Sequence, residues 1–186
     1  MINNLEEYVD ILDSYGAYTG KKALKKEAHK HGWYHPTVHV WFFTADRFLL
    51  IQKRAASKKT FPSLWDVSVA GHVSAGESIA KAALREVEEE IGLKITVNDL
   101  QFVAVFQSIN HHPNHIIDAE FNHCFVVELK TSLQNLSKQD EEVDELKLIN
   151  INNLEYKIRT KTLIDFVKIE DAYWFALFDK IDALLK

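Results

Sequence analysis

Apolar side chains fall into short runs along this chain, and two stretches with helical spacing interrupt them. Residues 37–44 (TVHVWFFT) and 47–54 (RFLLIQKR) are rich in β-branched and aromatic side chains and flank Ala45-Asp46, which predicts a hairpin. Before them, residues 7–13 (EYVDILD) predict a short strand, 14–20 (SYGAYTG) a turn, and 21–35 (KKALKKEAHKHGWYH) a polar, basic connector. After them come a proline-bearing loop over 56–66, a short strand over 67–71 ending in glycine, and a helix over 79–91. Residues 94–97, 100–108, 121–129 and 146–151 read as further strands, with loops over 109–117 (INHHPNHII) and 137–145 (SKQDEEVDE). Residues 162–186 repeat with helical spacing and carry a wide aromatic and aliphatic face. Strands around a central helix, closed by a terminal helix, predict an α/β (α+β) domain. No repeat, low-complexity tract or Pro/Gly/Ser-rich linker interrupts it, so residues 1–186 are expected to form one domain: 1–34 as strand and connector, 35–155 as core, 156–186 as a C-terminal helical segment.

The central helix carries the chemistry. At roughly 100° per residue, Ala80, Leu84, Val87 and Ile91 fall in one stripe expected to face the core. Glu86, Glu89 and Glu90, related by i,i+3 and i,i+4 spacing, gather on an adjacent face, while Glu88 points nearly the opposite way, near Lys81. Ala82 and Ala83 fall on the acidic side one turn earlier, where small side chains would leave room for a ligand. Gly92 follows the last apolar position as a helix stop, and Gly71 and Gly76 bracket a tight entry loop. A run of acids is usually a solvated face, which accounts for Glu88. It does not account for three convergent carboxylates whose only nearby cation, Arg85, sits toward the edge of their face. Such a trio is a hard-oxygen site for Mg²⁺ or Mn²⁺, whose charge turns mutual repulsion into attraction.

Bulk properties narrow the setting without naming a substrate. The 186 residues, 47% hydrophobic and 26% charged, are ordinary for a globular chain, and a net charge of −5 argues against binding a nucleic acid polymer. Cys124 is the only cysteine, so no intrachain disulfide forms; the first residues are acidic rather than signal-like, and no apolar run approaches membrane-spanning length. A cytoplasmic location and no membrane partner are expected.

Gly71, Glu77 and the run Arg85-Glu86-Val87-Glu88-Glu89-Glu90-Ile91-Gly92-Leu93 match, without a gap, the Nudix box G-x5-E-x7-R-E-U-x-E-E-x-G-U, so the chain resembles the Nudix hydrolase superfamily. The resemblance implies an α/β/α sandwich with a mixed sheet, in which the box is a loop and helix holding Mg²⁺ against a diphosphate linked to another group, X. It implies metal ligation by Glu86, Glu89, Glu90 and the Gly71 carbonyl, and an Arg85–Glu77 ion pair bracing the loop. Residues 27–43 and 52–78 further resemble type I isopentenyl diphosphate isomerases, a branch with the same fold. That branch has a catalytic cysteine immediately before the Gly-His pair, where this chain has Ala70. A methyl group exchanges no protons with carbon. With the box intact, the departure points to a hydrolase of a small-molecule diphosphate on an isomerase-like scaffold. The alternatives are an isopentenyl diphosphate isomerase and a non-catalytic module that binds a nucleotide or diphosphate to regulate a partner.

Other candidates follow from the same resemblance. His29, His35 and His72 lie where the isomerases hold a second metal, with Glu120 as a fourth ligand and Asn122 in place of an acidic fifth; His29 reads rather as a surface residue. Arg54, Lys58 and Lys59 resemble that branch's diphosphate-binding cations. Glu142, like Glu145, sits where many Nudix enzymes keep an extra glutamate. Glu89 or Glu90 is the first choice for orienting or deprotonating water, and Glu120 and Glu142 are second choices. His111, His112 and His115 read as loop residues bordering the substrate mouth. Cys124 reads as a small buried residue, and Phe166, Trp174, Phe175, Phe178 and Ile181 as core or homodimer packing.

Overall fold

The structure, a computed structural model, describes residues 6–186. Its centre is a seven-stranded mixed sheet built from β3 (His35–Phe43), β4 (Phe48–Arg54), β5 (Trp65–Asp66), β6 (Val69–His72), β7 (Gln101–His112), β8 (Ile116–Glu128) and β9 (Val143–Asn150). The strands run in the order β5-β4-β3-β8-β7, with β6 paired to β3 and β9 to β4. Among the described strands only β3 and β8 pair in parallel, from His35 opposite Glu120 to Phe43 opposite Glu128. Side-chain alternation along β3 sends its residues to two different cores. Val38, Val40 and Phe42 pack with Ala83, Val87 and Ile91 of α2 (Ile79–Ile91). Trp41 and Phe43 pack with Ile151 and Leu154 of α3 (Ile151–Arg159) and Trp174, Leu177 and Ile181 of α4 (Asp171–Leu184). The result is the expected α/β/α sandwich.

Several local expectations are corrected. Residues 14–35 are not a turn and a connector. They contain β2 (Tyr18–Leu24), which pairs with β1 (Tyr8–Leu12) in a separate two-stranded sheet, and then α1 (Lys25–His31), closed by Gly32 at φ 63°. The lysine-rich composition hid a solvent-facing ribbon. Residues 94–97 form no strand, and only a single 3-10 turn, Val97–Asp99, follows. The loop expected over 109–117 is mostly β-hairpin, since β7 runs to His112 and β8 starts at Ile116. The acidic loop gives way to β9 at Val143, three residues earlier than its apolar run begins. The terminal segment is not one helix: residues 160–170 separate α3 from α4, and α3 starts at an Asn150 side-chain cap, five residues before the helical segment expected from 156.

Helix α2 matches the expected span, capped by Ser78 and by Gly92 at φ 67°, but its rotation differs. Ala82 and Ala83 are fully buried against the sheet rather than open to a ligand, while Ala80 and Leu84 are only half-buried. A wheel gives relative angles; close approach of helix to sheet selects the small alanines and turns Glu90 inward. The apolar face of α4 that invited a dimer is already used, because Trp174, Leu177, Phe178 and Ile181 are buried in the chain's own core.

Candidate active site

A cleft of about 1140 Å³ opens where α2, the β6 loop, β7, β8 and the start of α4 meet. Its acidic wall is Glu86, Glu89 and Glu90, at the edge where β6 passes beneath α2. Gly71 makes that passage possible: a Cβ there would sit 1.9 Å from Glu86 Cδ. The carboxylate thus fills the space that any side chain at 71 would need, which fixes it against the β6 backbone.

The three glutamates differ sharply in environment. Glu90 is 6% exposed, and its Oε2 accepts from Gln52 Nε2 at 3.1 Å and from the Ala70 amide at 3.3 Å. Burial, reinforced by the Glu86 charge, pushes its carboxyl up to about 8. Burial also raises Glu86, against the pull of Arg85. Glu89 remains exposed. Arg85 is not at the edge of this group but its organiser. It donates to Glu77 at 3.2 and 2.9 Å, to Glu86 at 2.6 Å, to Glu89 at 3.1 Å and to the His72 carbonyl at 2.9 Å. Glu77 in turn accepts from the Ser74 amide at 3.1 Å, closing the loop onto the helix. Glu88 lies outside, paired with Lys94.

Cations line the same cleft. Arg54 lines the cleft but is committed to Asp66 at 2.9 Å and to Thr60. Lys58 bonds to Glu142, so each occupies the other, and Lys59 is exposed at the rim. Glu145 is exposed on β9, opposite Lys53.

A second group of potential ligands meets the same cleft, whose lining includes His29, His72 and Glu120. Ligand atoms of His29, His35, His72 and Glu120 all lie within 4.8 Å of one another, so His29 belongs to this cluster and not to the surface. His35 donates Nδ1–H to the Trp33 carbonyl at 2.9 Å, which leaves Nε2 as a lone pair; that atom is buried with no partner among the described residues. Burial holds His35 and His72 well below the usual imidazole range, so both rings are neutral and able to ligate. Burial and then Asp118 push Glu120 up to about 8. Asn122 takes no part: it accepts from Thr37 at 2.8 Å and donates to the Phe106 carbonyl and Ser108. Of the loop histidines, His112 is held by Asp118 at 2.8 Å, with the Phe61 ring edge-on at 4.5 Å.

A family model for the NUDIX domain matches residues 33–168. The chain belongs to the Nudix family. Nudix hydrolase 3 of Arabidopsis thaliana is 36% identical over 148 residues, 77% of this chain, but the chain spans only 19% of that protein's length. An uncharacterized Nudix hydrolase of Clostridium acetobutylicum is 36% identical over 152 residues, covering 80% of this chain and 72% of that one. The isopentenyl-diphosphate Delta-isomerase of Escherichia coli is 34% identical over 128 residues, 69% of this chain and 70% of its own. A crystal structure from Deinococcus radiodurans, 20% identical, superposes with a TM-score of 0.64 over 83% of this chain and 90% of that one, a likeness of fold. The Nudix assignment therefore includes an isomerase-like branch, as the segments around the box implied, and makes the chain a Nudix pyrophosphohydrolase by family.

Four residues that line the cleft have no place in the expectations from sequence: Gln52, Asp118, His39 and Tyr173. Gln52 interrupts the apolar run LLIQKR, and a polar residue inside a buried strand was the available signal. Asp118, His39 and Tyr173 gave none: Asp118 meets His112 across the β7–β8 hairpin and His29 of α1, and His39 meets Tyr173 only once α4 packs on the sheet.

Proposed function

We propose that this protein hydrolyses a diphosphate linkage carrying a group X, with Mg²⁺, or Mn²⁺ in its place, held by Glu86, Glu89, Glu90 and the Gly71 carbonyl. The observation that carries the reading is the Gly71 cradle, where the Glu86 carboxylate occupies the space of the missing side chain. Glu90 keeps its proton because it is buried and its carboxyl crowds that of Glu86, and a small hard cation would let both ionise. When bound, the ion would withdraw charge from the phosphate oxygens and make water a better nucleophile.

The chain's own residues supply the rest. Glu90 is anchored through Oε2 by Gln52 and the Ala70 amide, and Glu86 by Arg85. Glu89, the exposed member, gives Oε2 to Arg85 and keeps Oε1 clear of it to accept a proton from attacking water. The water oxygen forms a bond to phosphorus, the bridging P–O bond breaks, and the products are a phosphate or nucleoside monophosphate and a second phosphorylated compound. Arg54, Lys58 and Lys59 line the same cleft; Lys59 would meet the remaining phosphate oxygens directly, Arg54 by exchanging its present partners Asp66 and Thr60, and Lys58 by exchanging Glu142. The His29, His35, His72 and Glu120 set, three nitrogens and one oxygen, fits a second divalent cation.

Phosphate release from a panel of diphosphates with Mg²⁺, repeated with Glu89→Gln and Glu90→Gln, tests the proposal. Undiminished turnover in both variants refutes it. The isomerase reading is favoured by the named isomerase relatives and by the histidine cluster. Ala70, on the cleft wall, opposes it. Incubation with isopentenyl diphosphate decides: isomerised product without released phosphate would establish the isomerase.

A further inference from the structure

The cleft spans both faces of the sheet. The carboxylates reach it from α2, on the side of Val38 and Val40, while His39 lies on the opposite side with Trp41 and α4. Ala70 joins the two: its amide holds Glu90, and it stands opposite His39 in the β3–β6 register. His39 thus lies within one residue pair of the carboxylate site, on the cleft wall that the other end of a bound diphosphate, X, would meet.

What His39 offers X follows from a short chain of hydrogen bonds. Trp41 Nε1–H can only donate, and it does so to the Tyr173 hydroxyl at 2.7 Å. That hydroxyl has one proton to give. His39 Nδ1 lies 3.0 Å away, and the competing Cys124 sulfur is a weak acceptor. With Nδ1 accepting, the neutral ring carries its proton on Nε2. Among the described residues Nε2 makes no hydrogen bond, and it is not among the buried unpartnered atoms; the residue lines the cleft. Burial holds the ring down to about 4, so it stays neutral at physiological pH.

We propose that His39 is a specificity-determining residue whose Nε2–H, oriented by Tyr173 and Trp41, donates to an oxygen or nitrogen acceptor on X. X is then a polar group such as a nucleoside or sugar, because a hydrocarbon X would bury this donor unpaired. The inference rests on the hydrolase reading for the position of the diphosphate.

Two measurements test it separately. The nitrogen-15 shifts of His39 in the intact protein should report the Nε2–H tautomer, and Tyr173→Phe should release it; an Nδ1–H tautomer in the wild type overturns the proposal whatever the enzyme cleaves. For activity, kcat/KM is compared for ADP-ribose and UDP-glucose, with polar X, and for isopentenyl diphosphate, with hydrocarbon X. His39→Phe should lower kcat/KM for the preferred polar substrate by roughly ten- to a hundredfold, mainly through KM, and leave isopentenyl diphosphate unchanged. His39→Asn, which keeps an N–H donor, should recover part of the loss. Equal loss on both classes, or turnover of isopentenyl diphosphate alone, overturns the proposal. If none of the three is cleaved, the assignment of X is overturned, whereas the hydrolase reading stands or falls on the wider diphosphate panel and the tautomer on the nitrogen-15 shifts.

Discussion

Replacing Gly71 by alanine separates the site from the fold. The added Cβ would meet Glu86 Cδ at 1.9 Å, and Oε1 and Oε2 at 2.2 and 2.4 Å. Restoring an ordinary contact of 3.4 Å requires the carboxylate to retreat by about 1.5 Å. The obstacle is the far end of a flexible side chain, so Glu86 can rotate away and the backbone need not yield. Gly71 has no left-handed φ to lose, and its strand pairing with Val38 tolerates a methyl group. Stability should therefore change by no more than about 1 kcal/mol. Catalysis should not survive so well, because a misplacement of about 1 Å in a catalytic constellation costs on the order of a hundredfold. Urea denaturation gives the first quantity; phosphate release and Mg²⁺ affinity by calorimetric titration give the second. Gly71→Ala with full activity and unchanged Mg²⁺ affinity would refute the claim that this glycine exists to seat Glu86. A large loss of stability would show that the backbone, not the side chain, gave way.

Other outcomes are equally specific. In metal-free protein, the native Glu90 carboxyl is raised to about 8 from 4.5, so between those values the folded state holds a proton that the unfolded chain has released. Stability should then fall as pH rises through that window, and Glu90→Gln should flatten the fall; thermal melts in chelator across the window check the sign. The same proton must leave when a cation binds, so Mg²⁺ affinity should rise with pH toward about 8. Arg85→Lys keeps the charge but not the fork that reaches Glu77, Glu86, Glu89 and the His72 carbonyl, so turnover should drop at least about tenfold with a lower melting temperature. Trp174, 2% exposed and 5.3 Å from the Trp41 ring, should cost about 3–5 kcal/mol on replacement by alanine, measured in urea. Equilibrium dialysis against Zn²⁺ or Mn²⁺ should lose one bound ion in His35→Ala, since that residue's unpartnered Nε2 faces the cluster.

Much of this protein is written in local spacing. The α2 span, its Gly92 stop and the outward Glu88 follow from periodicity and chain stiffness, which tertiary packing does not overrule. The strands of 37–54 and 121–129 were equally plain, because buried strands are long apolar runs. The exposed ribbon and α1 were not, since a lysine-rich segment carries no hydrophobic signal of the side it covers. The absolute rotation of α2 was also hidden; only contact with the sheet selects Ala82 and Ala83 and buries Glu90. Sequence spacing brought the three glutamates together, but it placed Arg85 at their margin, where the fold makes it the hub. His29, Asp118, His39, Tyr173 and Gln52 became site residues only in three dimensions, because strand register and helix docking join positions far apart in the chain. Periodicity determines what faces one way along an element; which elements face each other is decided by the packing of the whole sandwich.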